Sequence, residues 1–157
     1  MQYSFYFDSD KCIKCKSCEV ACKQWKGIKA GTIRLRKVEE TVNGVFPEVR
    51  RQFFSVSCQH CAQPHCIEAC PVKAIIKRPD GIVFVNSSQC TGCKACLEKC
   101  PFGIPQFDED GSMQKCDMCL DRIENNQMPI CAATCPTQAL RWGTLAEISK
   151  LAGKSLP

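Results

Sequence analysis

This chain has little of what would make it a membrane span, a nucleic-acid reader or a self-contained enzyme. In 157 residues no apolar run approaches the ~18 residues that cross a bilayer, so no direct membrane insertion is expected. Its start has no basic segment leading into an apolar one, and no twin-arginine stretch. A cytoplasmic location is the expectation, with export in the company of a signal-bearing partner left open. Aromatic residues make up only 8 % and there are two histidines, His60 and His65. No nucleophile–base pair, phosphate-cradling glycine loop or open metal position is legible, so no substrate chemistry is expected of this protein by itself. Apolar residues total 45 %, but 16 of them are cysteines, which leaves a modest core for a domain of this size.

What the chain has is thiols, in four groups of four with none left over. They are Cys12, Cys15, Cys18 and Cys22; Cys58, Cys61, Cys66 and Cys70; Cys90, Cys93, Cys96 and Cys100; and Cys116, Cys119, Cys131 and Cys135. The first and third groups read C-x2-C-x2-C-x3-C, the spacing of bacterial-type ferredoxins. Three cysteines two apart wrap one loop around a cubane, and the fourth points away, toward a neighbouring cluster. The last three groups end in Cys-Pro: Cys70-Pro71, Cys100-Pro101 and Cys135-Pro136. Sixteen thiolates at four per cubane give four [4Fe-4S] clusters, and a short chain with four one-electron carriers reads as a wire. Four-cysteine zinc sites in the second and fourth groups are the competing metal reading. The crowding of groups one and three and the Cys-Pro endings speak for iron–sulfur.

The formal charge of +5 looks like a basic binding surface. Four oxidised cubanes at a net 2− each carry the holo-protein to about −3, so nucleic-acid binding is not expected. Lys11, Lys14, Lys16, Lys23, Lys94, Lys99 and Lys115 lie among the cysteines. They either offset cluster charge or are ordinary solvated lysines. His60 and His65 read either as donors to cluster sulfur or as half-buried rings. Trp25 and Trp142 read as shields against water or as simple packing.

Short β-like runs precede the cysteine groups, at 3–7, 53–56, 81–85 and weakly 112–114. Others follow two of the Cys-Pro pairs, at 74–77 and 139–143. Pro79-Asp80-Gly81 is a hairpin turn between 74–77 and 82–85, which pairs groups two and three. Groups one and four then pair around them. The expected fold is α+β, with two nested bacterial-type two-cluster ferredoxin folds and an inserted β-hairpin. Residues 1–26 with 112–157 form the outer half, 27–57 the hairpin and 58–111 the inner half. Sequential pairing, one with two and three with four, is the alternative. In the insertion, residues 32–38 alternate polar and apolar like a strand, and Asn43-Gly44 signals a two-residue turn after them. Residues 103–111 read as a loop, and 144–151 as a short helix with a Thr144/Glu147 capping box. Under nested pairing the ligand sets are Cys12, Cys15, Cys18 and Cys135; Cys116, Cys119, Cys131 and Cys22; Cys90, Cys93, Cys96 and Cys70; and Cys58, Cys61, Cys66 and Cys100.

Three segments carry a resemblance: QYSFYFDSDKCIKCKSCEVACKQW, VFPEVRRQFFSVSCQHCAQPHCIEACP and MQKCDMCLDRIENNQMPICAATCPTQAL. Together they resemble the iron–sulfur subunits of the dimethyl-sulfoxide-reductase type, which are four-cluster electron-transfer subunits of molybdenum and tungsten pterin oxidoreductases. The likeness runs from Tyr3 to about Gly143 and implies the nested pairing. It implies electron relay between a large catalytic pterin-containing subunit and a second redox partner, such as a flavin subunit or ferredoxin. It also implies that the cluster on Cys12, Cys15, Cys18 and Cys135 faces the catalytic subunit and that the one on Cys58, Cys61, Cys66 and Cys100 is distal. The chain stops about twenty residues after Cys135, where many relatives continue. That points to a short, soluble variant similar to small subunits of tungsten aldehyde oxidoreductases or hydrogenase-linked polyferredoxins. Thr137-Gln138-Ala139 stands where the family usually has Thr-Gly-Ala. The other reading is a free polyferredoxin or a hydrogenase or formate-dehydrogenase accessory protein. With no anchor, head-to-tail self-stacking is a further expectation, with His60, Gln63 and Pro64 at the distal contact.

Overall fold

Strand β1 (Tyr3–Phe7), near the start of the chain, pairs antiparallel with β8 (Leu140–Thr144), near its end, with Tyr3 opposite Thr144 and Phe7 opposite Leu140. The computed structural model describes residues 1–153. Between these strands lie three further antiparallel pairs: β2 (Arg36–Asn43) with β3 (Arg50–Ser57), β4 (Ile75–Lys77) with β5 (Val83–Val85), and β6 (Gln106–Phe107) with β7 (Met113–Gln114). Helix α1 (Ser17–Trp25) runs through the first cysteine group. One-turn helices α2 (His65–Glu68), α3 (Ala95–Glu98) and α5 (Ile130–Ala133) carry thiols of the other three groups. Helix α4 (Leu120–Ile123) follows Cys119, and α6 (Leu145–Ala152) packs behind β1 and β8.

Every described sheet has only two strands. Such ribbons are marginal alone in water, so packing and metal must supply what the ladders lack. Apolar side chains gather directly around thiols. Phe5, Phe7, Val38, Phe53 and Leu140 surround Cys18 and Cys131. Ile75, Val83, Val85, Phe107 and Met113 surround Cys96, and Leu35 lies with Cys22 and Cys116. The core is therefore a jacket around the cysteines.

Three local readings are corrected. Asn43-Gly44 is not a two-residue turn, because β2 ends at Asn43 and β3 begins at Arg50. Pro47 has no N–H to offer the ladder, and the Glu48 amide bonds to the Val45 carbonyl at 2.8 Å, which makes a local turn of its own. The alternating run 32–38 joins the strand only from Arg36. Upstream of it, Lys23 Nζ donates to the carbonyls of Gly31 (2.8 Å) and Ile33 (3.1 Å), and the Gln106 side chain takes both backbone groups of Arg34. These side chains occupy the edge that a β partner would use. Residues 103–111 are likewise not only loop. The Asp108 carboxylate accepts the Ser112 amide (2.7 Å) and the Gln114 amide group (2.8 Å), closing the β6–β7 turn. At the far end, Thr144 and Glu147 form a reciprocal capping box that starts α6.

Candidate iron–sulfur centres

All sixteen cysteines are free thiols. In each group's first C-x2-C loop the residue before the second cysteine has positive φ: Lys14 (55°), His60 (47°), Gly92 (69°) and Met118 (57°). A left-handed residue reverses the local direction of the backbone and turns successive amides toward one side, making a concavity that favours negative charge. The Met118 amide lies 3.4 Å from Cys116 Sγ. A second repeat follows each Cys-Pro. Lys73 (53°), Gly103 (58°) and Gln138 (54°) all take positive φ three residues after the cysteine. The backbone then folds back, and the amides of Ala74 and Leu140 reach Cys70 Sγ (3.3 Å) and Cys135 Sγ (3.4 Å). Gln138 therefore occupies a backbone conformation natural to glycine, which gives a physical reading to the Thr-Gln-Ala departure.

Two cavities collect thiols from separate groups. One is lined by Cys70, Cys90, Cys93 and Cys96, with Val85, Phe107 and Met113 in its walls. The other is lined by Cys58, Cys61, Cys66 and Cys100, with His60, Val83 and Lys115. In each, three cysteines of one group meet the fourth of the other. Elsewhere, Cys12, Cys18, Cys131 and Cys135 gather around Leu140, and Cys22 and Cys116 pack together. The seam between groups one and four is held by Lys26, whose Nζ lies 2.9 Å from both Asp117 and Asp121, and by Trp25 Nε1–H donating to Asp121.

Burial differs sharply among the thiols. Cys22, Cys116, Cys119 and Cys131 are all buried, while Cys15 and Cys93 are exposed. Desolvation pushes the Cys22 thiol up to about 12, with Cys131 and Cys119 adding to it, and pushes Cys18, Cys96 and Cys119 to about 11. Without metal these four thiols are thus protonated at neutral pH, and metal must displace their protons.

The donor set fits an iron–sulfur cluster. Four thiols line each of the two cavities and stand around a volume, as a polynuclear core requires. His60 supplies an independent observation. Its Nδ1 accepts the Val83 amide at 2.9 Å, so Nε2 carries the proton, yet Nε2 is buried with no protein partner in the wall of the Cys58 cavity. A buried donor needs an acceptor, and cluster sulfur is one. Burial, with Lys115 and Arg36 nearby, holds this ring's pKa well below its usual value, so it stays neutral.

The structure also sorts the other polar candidates. His60 is fully buried and neither half-exposed nor at a surface contact; His65 is exposed beside Glu68, and Gln63 is exposed. Lys115 is buried, donates to the carbonyls of Val83 and Cys116, and lies 3.8 Å from Cys58 Sγ. By contrast, Lys11 pairs with Asp8, Lys14 with Glu40, and Lys23 with carbonyls. Trp25 and Trp142 line neither thiol cavity; Trp142 stacks on Tyr3 at 4.7 Å. Sequence reasoning missed Arg36, which is buried with its guanidinium 4.3 Å from the Phe5 ring. The available signal was its place two residues before Val38, on the same inward face of β2.

Fold and site together define a multi-cluster ferredoxin-type electron carrier. Family models for the 4Fe-4S dicluster domain match residues 49–145 and 11–76. The sequence is 40 % identical over 161 residues to the B subunit of the anaerobic dimethyl sulfoxide reductase of Escherichia coli K12, covering 97 % of this chain and 78 % of that subunit. The subunit of the same name from Haemophilus influenzae is 40 % identical over 158 residues, covering 94 % and 76 %. The formate dehydrogenase-O iron-sulfur subunit of E. coli K12 is 37 % identical over 164 residues, covering 94 % of this chain and 55 % of its own length. The protein belongs to the 4Fe-4S dicluster family, as an iron–sulfur subunit of the type found in those oxidoreductases. It carries four [4Fe-4S] clusters and transfers electrons, leaving substrate chemistry to another subunit. No helix of the described residues is long and apolar enough to cross a membrane.

Proposed function

We propose that this chain relays single electrons between a catalytic subunit holding a molybdenum or tungsten pterin and a second, soluble redox partner in the cytoplasm. Each bound cluster supplies a one-electron carrier. The protein's own residues hold, space and insulate those carriers. The proposed ligand sets are Cys12, Cys15, Cys18 and Cys135; Cys22, Cys116, Cys119 and Cys131; Cys70, Cys90, Cys93 and Cys96; and Cys58, Cys61, Cys66 and Cys100. They correspond to a nested fold in which residues 1–26 and 112–157 enclose 58–111, with 27–57 as an inserted hairpin over the outer pair. The observation that carries this reading is the crossing of the fourth cysteine. Cys70 lines a cavity with Cys90, Cys93 and Cys96, and Cys100 lines one with Cys58, Cys61 and Cys66. The β1–β8 pairing supports the outer closure.

The catalytic subunit docks at the end near Cys15, which is exposed. The acceptor, a flavin subunit, a ferredoxin or another copy of this chain, meets the end near Cys61 and the exposed Gln63. Replacing Gln63 by Arg there weakens acceptor reduction or self-association while electron entry from the catalytic side is unchanged. Equal rates on both sides would rule out this polarity. The test of the relay itself is a pull-down of the intact protein under anaerobic conditions. A large pterin-containing partner that reduces these clusters on adding its substrate is the expected result; a protein that stays monomeric contradicts it.

A further inference from the structure

Among the described residues the interior of this protein has an unbalanced set of charges. Its buried charged or polar side chains are Glu19, Arg36, Ser57, His60 and Lys115. Glu19, the one buried carboxylate among them, is already committed: it pairs with Arg34 and accepts the Val38 amide. Lys115 is held by two carbonyls. Arg36 has far less. Nη1 donates to Ser55 Oγ at 2.8 Å, and the guanidinium lies over the Phe5 ring, but Nε and Nη2 are buried without a partner. An arginine cannot shed its charge in a protein, and unpaired buried donors on a cation are costly. An anion is therefore required beside it.

The surroundings supply only sulfur. The Phe5 ring beneath the guanidinium packs against the apolar clusters that hold Cys18 with Cys131 and Cys22 with Cys116, and thiolates at these positions offset the penalty of burying the guanidinium. It also lines a cavity with Phe5, Met118, Leu140 and Cys58, so it stands between the loop of the fourth cysteine group and the start of the second. Register fixes it there. Arg36 is the first residue of β2, opposite Ser57, which immediately precedes Cys58.

We propose that Arg36 is a potential-setting and positioning residue for the cluster on Cys22, Cys116, Cys119 and Cys131. Its free Nε and Nη2 donors are directed at that cluster's sulfur, and its fixed charge stabilises the more negative, reduced state. The inference rests on the cluster assignment proposed above. Charge-assisted donors from a planar fork give both orientation and electrostatic stabilisation. Of the cysteines around Arg36, Cys22, Cys116 and Cys131 belong to this one set, while Cys18 and Cys58 are single members of two others, so its influence is largest here. A cation here raises the midpoint potential of this carrier above what four buried thiolates alone would give.

The test is an EPR-monitored redox titration of the anaerobically prepared full-length protein, with iron and labile sulfide measured on every sample. Arg36→Gln removes the charge. One cluster, the same one lost in Cys22→Ser, is expected to shift to lower potential by at least a tenfold change in its reduced-to-oxidised ratio, about 59 mV for one electron. Arg36→Lys keeps the charge and should retain most of the potential. If Arg36→Gln has full iron and no midpoint moves that far, or all four move equally, the proposal is overturned. Where Arg36→Gln loses iron, Ser55→Ala decides: it keeps the charge but releases Nη1, and a smaller downward shift in the same cluster is expected, while an unchanged midpoint refutes the role. A wild-type protein without iron and labile sulfide would defeat the cluster assignment itself, a result distinct from either of these.

Discussion

Compare the proposed cage of Cys22, Cys116, Cys119 and Cys131 with the proposed cage of Cys58, Cys61, Cys66 and Cys100. All four thiols of the first are buried; none of the second is. The first is covered by α1, by Leu35 and by the start of β2, and the buried Arg36 is the cation proposed to serve it. The second is a cavity whose polar wall is Gln59, His60 and Lys115. The same loop chemistry, with one left-handed residue before the second cysteine, therefore serves two environments. The difference lies in what the sequence inserts between groups one and two. A hairpin and its lead-in cover one cage and leave the other near the surface. A carrier in a closed cage is insulated and tuned by the protein, and one in an open cage is placed to exchange electrons with a partner.

The comparison breaks most directly if the sets are wrong. Cys22→Ser is expected to remove the same cluster signal as Cys116→Ser, and Cys70→Ser the same signal as Cys93→Ser, by EPR of the reduced protein. If Cys22→Ser altered the signal lost in Cys61→Ser instead, groups one and two would share a pair. Next in size is chemical access. Anaerobic iron chelation should strip the Cys58, Cys61, Cys66, Cys100 cluster several-fold faster than the fully buried one, followed by loss of individual EPR signals. Uniform loss would mean that burial of the thiols does not govern access. Smaller again is the hold on the lid. Glu19→Ala leaves the Val38 amide and Arg34 without their acceptor, and should cost about 1–3 kcal/mol, with faster hydrogen exchange at Val38. The smallest effect is remote from both cages. Thr144→Ala removes the capping box of α6 and should lower stability by ~1 kcal/mol, with every cluster potential unchanged.

Much of this was legible in the residues because cluster chemistry imposes spacing. Four thiols at fixed intervals followed by Cys-Pro mark a loop, a turn of helix and a reversal, and the short strands on either side were found nearly to the residue, as at Tyr3–Phe7. Less legible was anything set by contacts distant in sequence. Residues 32–35 alternate like a strand, but Gln106 claims the backbone of Arg34 from across the fold. His60 looked like a loop side chain; the Val83 amide draws it inside. Arg36 sits in a run of arginine and lysine that reads as a solvated face, and only its register with Ser57 shows that it points inward. Charges that face clusters are hard to see in a sequence because their partner is not an amino acid.

The central claim is that sixteen thiols hold four cubanes, and the most direct measurement is the iron, zinc and acid-labile sulfide content of anaerobically purified, full-length protein. The expected result is about sixteen irons and about sixteen sulfides per molecule, a brown protein, and interacting S = 1/2 EPR signals on reduction. Stoichiometric zinc with no labile sulfide would contradict it.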